Sequence, residues 1–354
     1  MKLRILCYIL GLMALSSCSG SDDDATGSRR LATVTFLVTP NGLGDNGFND
    51  AAAEGFFAFG QETGTNLRLL LPADGAEAEE MYSRWLAENA QKDSAVLILG
   101  SSEYEAIASR NKPALSGKGS RVLLVDSEAE IDGVSSVMIG RYGVSYLAGA
   151  MCQRLNALVL AAAPGFPTLE ESIAGFMDAR EKYAGEYWGD PCTTSVHYIA
   201  DSEAGFAMPD STYRYMVRRA DQDLFYSEIV FPLLGGSGAG VLRYINDDEY
   251  TFAMMIGMDV DLTGQSTRIP FSVVIRIGDV MKQYLEDWLA GRDWPESRRL
   301  GLKEGAADIV FTPDFSKHLL IYEDRGYAVP DWFKWLYDDY KSEAVQKEEE
   351  YARN

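Results

Sequence analysis

The residues with the most chemical capacity stand in short polar loops, each directly after an apolar run. The first loop reads Asn41-Gly42-Leu43-Gly44-Asp45-Asn46-Gly47-Phe48-Asn49. Its glycines let backbone approach a bound molecule closely. Asp45, Asn46 and Asn49 offer hydrogen-bonding groups, and the Phe48 ring offers a flat apolar face for stacking. Gly100-Ser101-Ser102 follows the third run and Asp126-Ser127 the fourth. Leu234-Gly235-Gly236-Ser237-Gly238-Ala239-Gly240 is a glycine-rich turn that opens a helix and presents backbone N–H groups. No Lys follows it and the glycine spacing is not GxGxxG, so neither a Walker loop nor a dinucleotide fingerprint is present. Gly257-Met258-Asp259-Val260-Asp261 sets two carboxylates at a strand end, able to grip hydroxyls or a divalent cation. Every one of these groups also has a structural reading: Asp45 or Asn49 as a helix cap, Phe48 in the core, Asp126 and Asp259 in turns. His197 and His318 lack motif context, and Cys152 and Cys192 lack a histidine partner, so no nucleophile–base arrangement is legible.

The elements that must carry these loops alternate. Short apolar, β-branched runs at 33–38, 67–71, 95–99 and 122–125 read as buried strands, with helices at 49–63 and 77–89. In the second helix Met81, Trp85 and Leu86 are expected on the buried face. The rhythm repeats with helices at 142–156, 169–183 and 211–220 and strands at 157–162, 195–199, 227–232 and 252–257. Continuous apolar strands joined by helices predict an α/β fold with parallel sheets covered on both faces. Two units of similar size predict two lobes, and in such sheets ligands bind beyond the carboxyl ends of the strands.

Composition narrows the function. The chain has 354 residues, 47% hydrophobic and 24% charged, which is globular. Its net charge of −21 repels phosphate backbones, so nucleic acid is not an expected partner, and two histidines argue against a histidine-rich metal site. The first 17 residues read as an export signal: Lys2 and Arg4, then an apolar stretch from Ile5 to Leu15, shorter than the ~20 residues that span a bilayer. Leu15-Ser16-Ser17-Cys18 resembles a lipobox, which makes Cys18 the expected lipidated N-terminus, with palmitate among its acyl chains. Residues 18–30, with Asp22-Asp23-Asp24, read as a disordered acidic tether that resembles a surface-export signal of bacterial lipoproteins. The membrane is then reached through the lipid only, either inside the envelope or on the outer surface. Cys152 and Cys192 remain in an oxidising compartment, as a disulfide or as two buried thiols.

The ordered set of motifs resembles the basic membrane protein family, the substrate-binding lipoproteins of ABC importers that include purine nucleoside receptors. The resemblance rests on Asp45-Asn46-Gly47-Phe48-Asn49, Gly55, Val125-Asp126, Leu147-Ala148-Gly149-Ala150, Gly175-Phe176, the turn 234–240 and Ile256 to Asp261. It covers roughly residues 33–312. It implies a type I periplasmic-binding-protein fold with a three-strand hinge: lobe one at 31–138 plus 265–300, lobe two at 139–264 plus 301–328, and a C-terminal helical appendage at 329–354. In that appendage Trp332, Phe333, Trp335 and Leu336 are expected to dock, and Lys347-Glu348-Glu349-Glu350 to be solvated. By the same resemblance Phe48 stacks on a base, Asn49 and Asp126 read its edge, and Gly236, Ser237, Gly238 and Asp259 hold ribose. Ser101 and Ser102 line the cleft, and Phe176 or Phe206 supplies a second aromatic wall. The family often carries a Lys that contacts the sugar; here Ile275 stands in its place, with Arg276 beside it facing the other side of the strand.

The expectation is a monomeric, non-catalytic receptor without cofactor or metal, whose lobes close on a nucleoside and whose partner is an ABC-type permease. The alternatives are a permease-independent sensor or scavenging lipoprotein of the same fold, and a nucleoside or glycoside hydrolase using Asp45 or Asp259.

Overall fold

The computed structural model describes residues 33–187, 190–220, 228–247, 253–313 and 329–353. The export signal, Cys18, the tether and His318 lie outside the described residues.

A six-stranded parallel sheet forms the first body. Its order is β2 (Asn66–Leu70), β1 (Thr33–Leu37), β3 (Ala95–Leu99), β4 (Arg121–Val125), β5 (Ser135–Ile139) and β14 (Ser297–Leu300). Residues of β1, β3 and β4 are almost wholly buried because helices cover both faces. These helices include α1 (Phe48–Thr63), α2 (Gly75–Asn89), α3 (Glu105–Arg110) and α8 (Ile277–Leu289). On α2 the buried face is Ala78, Tyr82, Trp85 and Leu86, while Met81 is only half-buried. Helices α1 and α8 touch at Gly55 and Gly278, where a Cβ on Gly55 would stand 2.3 Å from the Gly278 carbonyl oxygen.

The second body is a four-stranded parallel sheet, β9 (Thr194–Tyr198), β6 (Asn156–Ala161), β10 (Glu228–Leu233) and β11 (Met254–Met255). It carries α4 (Tyr142–Met151), α5 (Pro167–Tyr183), α6 (Pro209–Ala220) and α7 (Gly238–Asp247), with a two-residue pair β7 (Glu186–Tyr187) and β8 (Asp190–Pro191). Every residue of α4 is buried. Gly149 and Gly175 let α4 and α5 pack backbone to backbone: a Cβ on Gly175 would stand 2.2 Å from the Tyr142 carbonyl oxygen.

A third sheet, β12 (Gly257–Asp259), β13 (Phe271–Ile275) and β15 (Ala307–Phe311), lies beside β10. Strand β13 joins this sheet and not the six-stranded one. The chain therefore returns to the first body at Arg276, where the sequence placed a boundary near residue 265. The three crossings between bodies, at Gly140–Arg141, Arg276 and 301–306, lie side by side. The Gly140 N–H donates to the Leu300 carbonyl at 2.7 Å, and the Arg276 N–H to the Ala306 carbonyl at 2.8 Å.

The last helix, α9 (Val329–Tyr351), packs on α4. Phe333 is buried and Trp332 and Leu336 half-buried against the core, but Trp335 is 63% exposed and does not dock. Glu348 is a second correction. It is 7% exposed rather than solvated: its carboxylate accepts from the backbone N–H groups of Gly143 at 3.2 Å and Leu302 at 2.8 Å. Its neighbours Lys347, Glu349 and Glu350 do sit on the surface, in the pairs Lys347–Glu350 and Lys303–Glu349.

Cys152 and Cys192 are both free and buried. Burial pushes the Cys152 thiol up to about 12 and raises Cys192 as well. Beside them Arg180 donates to the carbonyls of Cys152 and Leu155 and to Thr194 Oγ1. A neutral, buried thiol is a poor nucleophile. Alkylation of the folded protein is expected to leave both unmodified, and unfolding in denaturant without reductant to expose both. Peptide mass spectrometry reads this, and an unmodified pair after unfolding would reveal a disulfide instead.

Candidate functional site

The carboxyl ends of β1, β10 and β12 converge. Asp45, Asn46 and Gly47 after β1 face the turn Gly235 to Ala239 after β10 and Asp259 at the end of β12, around a cavity of about 140 Å³. A Cβ on Gly236 would stand 3.9 Å from Asp45 Cβ, so the loops of the two bodies come into contact range. Leu242, Met255, Met258 and Leu262 supply apolar wall. The α7 N-terminus opens on this cavity through Gly238 and Ala239, giving it backbone donors and the positive end of a helix dipole.

The loop after β1 holds itself in place. Asp45 accepts from the N–H groups of Gly47 at 2.9 Å and Asn49 at 3.1 Å, and so caps α1. Asp50 accepts from Gly44 at 2.7 Å and Asn46 at 2.8 Å. Asn49 turns inward: its Nδ2 donates to Thr39 Oγ1 at 3.0 Å and to the Gly42 carbonyl at 2.9 Å. Three non-glycine residues among those described have positive φ: Asn46 (48°), Asp126 (58°) and Asp259 (68°). All three were singled out as site residues from the sequence. Left-handed backbone costs non-glycine residues energy, and such strain concentrates where function fixes a side chain.

Arg141 is the residue that the sequence did not reveal. It sits at the first crossing, between β5 and α4. Its Nη1 donates to Asp126 Oδ1 at 2.6 Å and to the Ile139 carbonyl at 3.0 Å, and its Nη2 to Asp126 Oδ2 at 3.1 Å. The pair is buried, with side chains 6% and 10% exposed. The guanidinium lies 5.7 Å from the Phe48 ring centroid, a cation–π distance. Burial opposes the Arg141 charge, but Asp126, with Asp259 and Glu171, outweighs it and holds the guanidinium above its ordinary pKa. The only signal in the sequence was a lone cation at the mouth of an otherwise apolar helix.

Asp259 is the complementary group. Burial pushes its carboxyl up to about 6; Arg141 opposes the rise, while Asp45 and Asp126 add to it. Among the described residues no hydrogen-bond donor meets its carboxylate, in contrast to Asp45, which burial raises against three backbone donors. Asp126, Asp259 and Glu171 therefore share the Arg141 guanidinium.

The structure brings Asp45, Asn46, Gly238 and Asp259 to the cavity wall, with Gly236 beside Asp45 and the Asp126–Arg141–Phe48 stack next to Asp259. Other expectations are corrected. Asn49 closes its own loop and does not line the cavity. Asp126 is chelated by Arg141 and positions it. Ser237 is fully buried, accepting from the Met208 N–H at 2.5 Å and donating to the Gly205 carbonyl at 2.6 Å, so it holds the glycine turn to the 203–207 loop. Phe176 lies in the core, stacked 4.8 Å from Phe231. Phe206 packs edge-on to Phe166 at 5.0 Å and under Gly235, outside the lining. Ser101 caps the turn 102–104 by accepting from the Glu103 N–H, and neither it nor Ser102 lines the cavity.

No family model and no curated protein matches the sequence. Solved structures do match in shape. An ABC transporter system solute-binding protein from Aeropyrum pernix K1 is 16% identical, with a TM-score of 0.66 over 90% of each chain. An ABC transporter periplasmic solute-binding protein from Actinobacillus succinogenes with bound D-allose is 10% identical, with a TM-score of 0.61 over 81% of this chain and 99% of its own. A transcriptional activator of the comK gene from Bacillus halodurans is 13% identical, with a TM-score of 0.64 over 89% of this chain and 98% of its own. At such identities the likeness establishes architecture. The chain has the type I periplasmic-binding-protein fold.

Proposed function

We propose that this chain is an exported, lipid-anchored receptor that captures a small hydroxyl-rich molecule, a nucleoside in the first instance, between its two bodies and presents it to an ABC-type importer. The observation that carries the reading is the Asp259 carboxylate, raised by burial and without a hydrogen-bond donor among the described residues, at a small cavity that also meets a helix N-terminus; the Phe48 ring, outside the lining, lies against the Arg141 guanidinium that faces Asp259. Such a site offers acceptors for sugar hydroxyls, donors from the glycine turn and an aromatic edge, the mix that gives a small-molecule pocket its specificity. Arg141 covers one face of Phe48, so a base would use the other. The resemblance of Leu15-Ser16-Ser17-Cys18 to a lipobox supports tethering at a membrane surface. The similarity to solute-binding proteins of transporters supports a binding role rather than catalysis. The likeness to a transcriptional activator favours one second reading, a permease-independent sensor of the same ligand class.

Titration calorimetry of the mature chain against nucleosides, free bases, pentoses and hexoses tests the proposal. Saturable binding of a nucleoside with no product formed, weakened about tenfold or more by Phe48→Ala and by Asp259→Asn, is the expected result. A free sugar binding more tightly than any nucleoside would move the ligand class. Turnover would favour a hydrolase, and silence across the panel would end the receptor reading. Affinity should also follow pH. A hydroxyl donating to Asp259 needs the ionised carboxylate, so affinity is full above about pH 6 and falls as pH drops through that value. The limit is roughly tenfold per unit. A flat profile between pH 5 and 8 would remove Asp259 from the contact set.

A further inference from the structure

A second cavity, of about 250 Å³, lies apart from the first. It is formed where α8 begins and where β14 turns into β15. Arg276, the exposed N-cap residue of α8, lines this cavity together with Arg298 of β14. Arg276 stands at one crossing and Arg298 in the strand that leads into the next, and the two crossings are joined by the Arg276 N–H to Ala306 carbonyl bond at 2.8 Å.

Acids outnumber Lys and Arg by 53 to 32 on this chain, yet neither of these two arginines is held by a close acid. Arg298 makes no ion pair, and its side chain donates no hydrogen bond, among the described residues; its influence reaches the Tyr284 hydroxyl. Among the described residues Arg276 pairs only with Asp279, at 4.0 Å, and Asp279 is 77% exposed at the rim. The other acids of the cavity are engaged. Asp287 accepts from Arg292 Nε at 2.8 Å and Gln283 Nε2 at 3.0 Å, and Glu304 accepts from the Gly301 N–H at 2.9 Å. The Tyr284 side chain is part of the lining, and its hydroxyl is buried with no partner, an unused donor behind the two arginines.

We propose that this cavity is a second binding site, for a small oxyanion (a phosphate or a carboxylate), gripped between Arg276 and Arg298. Guanidinium forks match planar carboxylates and phosphate oxygens, and two of them flanking one cavity make an anion the complementary ligand. The overall negative charge opposes any anion at long range, so binding is weak and sensitive to ionic strength. The site is separate from the cavity at Asp259 and shares no lining residue with it.

The test uses the mature chain in low-salt buffer free of oxyanions, titrated calorimetrically with inorganic phosphate and, separately, with malonate. Saturation by either at a single site supports the proposal, and which one binds more tightly assigns the chemistry. Arg276→Gln and Arg298→Gln are each expected to weaken that binding about tenfold while melting curves stay unchanged, since both side chains are surface-facing. Asp259→Asn should leave it untouched, which keeps this result separate from the fate of the first cavity. Absence of saturation by both anions at millimolar concentrations, or saturation that survives both arginine variants, overturns it.

Discussion

Arg141→Ala is expected to abolish ligand capture and to lower unfolding free energy by about 3–5 kcal/mol, the usual cost of removing one partner from a buried ion pair. The variant strands Asp126, whose carboxylate takes both guanidinium nitrogens and has left-handed backbone beneath it. It also removes the cation that opposes the pKa rise at Asp259, so that carboxyl moves further up and is less ionised near neutral pH. Two effects are thus separable. Urea unfolding reads the first, and calorimetric titration with a ligand found for the wild type reads the second. Arg141→Leu combined with Asp126→Leu removes both charges together. Because a buried pair is often no better than apolar replacements, this double variant should recover most of the lost stability and still not bind. A single variant within about 1 kcal/mol of wild type would show that the pair is solvated and that Asp126 needs no positioning.

How far the sequence revealed this arrangement follows from burial. Strands β1, β3, β4, β6 and β10 are covered on both faces, so their residues are a continuous apolar run and any reading finds them. Strand β14, Ser297-Arg298-Arg299-Leu300, is an edge strand with half its side chains in polar surroundings, and its composition does not distinguish it from a loop. The loops around the site were legible for the same topological reason: in parallel sheets ligand contacts follow the strands. Within those loops, residue type did not separate contact from support. Asn49 and Ser237 have the right groups to meet a ligand, but the same groups close the turns that shape the cavity, and only their partners decide. Phe176 illustrates the opposite error: a glycine–aromatic motif that resembled a ligand wall is the packing contact between α5 and β10. Arg141 escaped notice because its function depends on a carboxylate 15 residues earlier that only the folded crossing brings within reach.

Glu348 carries the other large effect. It lies at the centre of a junction that a charge run on a surface helix gives no hint of: the N-terminus of α4, the crossing after β14, and α9 itself. Gly140, Gly143 and Gly301 surround it so closely that a Cβ on Gly301 would stand 2.3 Å from Glu348 Oε2. Glu171 shares the task, accepting from the N–H groups of Arg141 and Tyr142 at 3.0 Å, and Arg299 bridges Glu171 to Glu128. Burial pushes the Glu348 carboxyl up to about 7, with Glu171 adding to the rise, while the two backbone donors and Arg299 oppose it. The sign follows from linkage. A folded-state pKa above the ordinary value of 4.5 means that the native state holds more protons between those limits. The Glu348 contribution to stability is therefore full below about pH 4.5 and is lost as pH rises through about 7, a swing of about 3 kcal/mol at ~1.4 kcal/mol per unit. Glu348→Gln keeps a carbonyl for one of the two N–H groups and cannot ionise. It should remove that slope, and be as stable as wild type or more so at pH 8. Glu348→Ala leaves the Gly143 and Leu302 amides buried without an acceptor, at about 1–3 kcal/mol each, and should be destabilised at every pH. Urea midpoints for the three proteins at pH 5 and pH 8 distinguish the outcomes. Parallel behaviour of wild type and Glu348→Gln at both pH values would mean that Glu348 is ionised throughout and that α9 is held to the hinge by its apolar contacts alone.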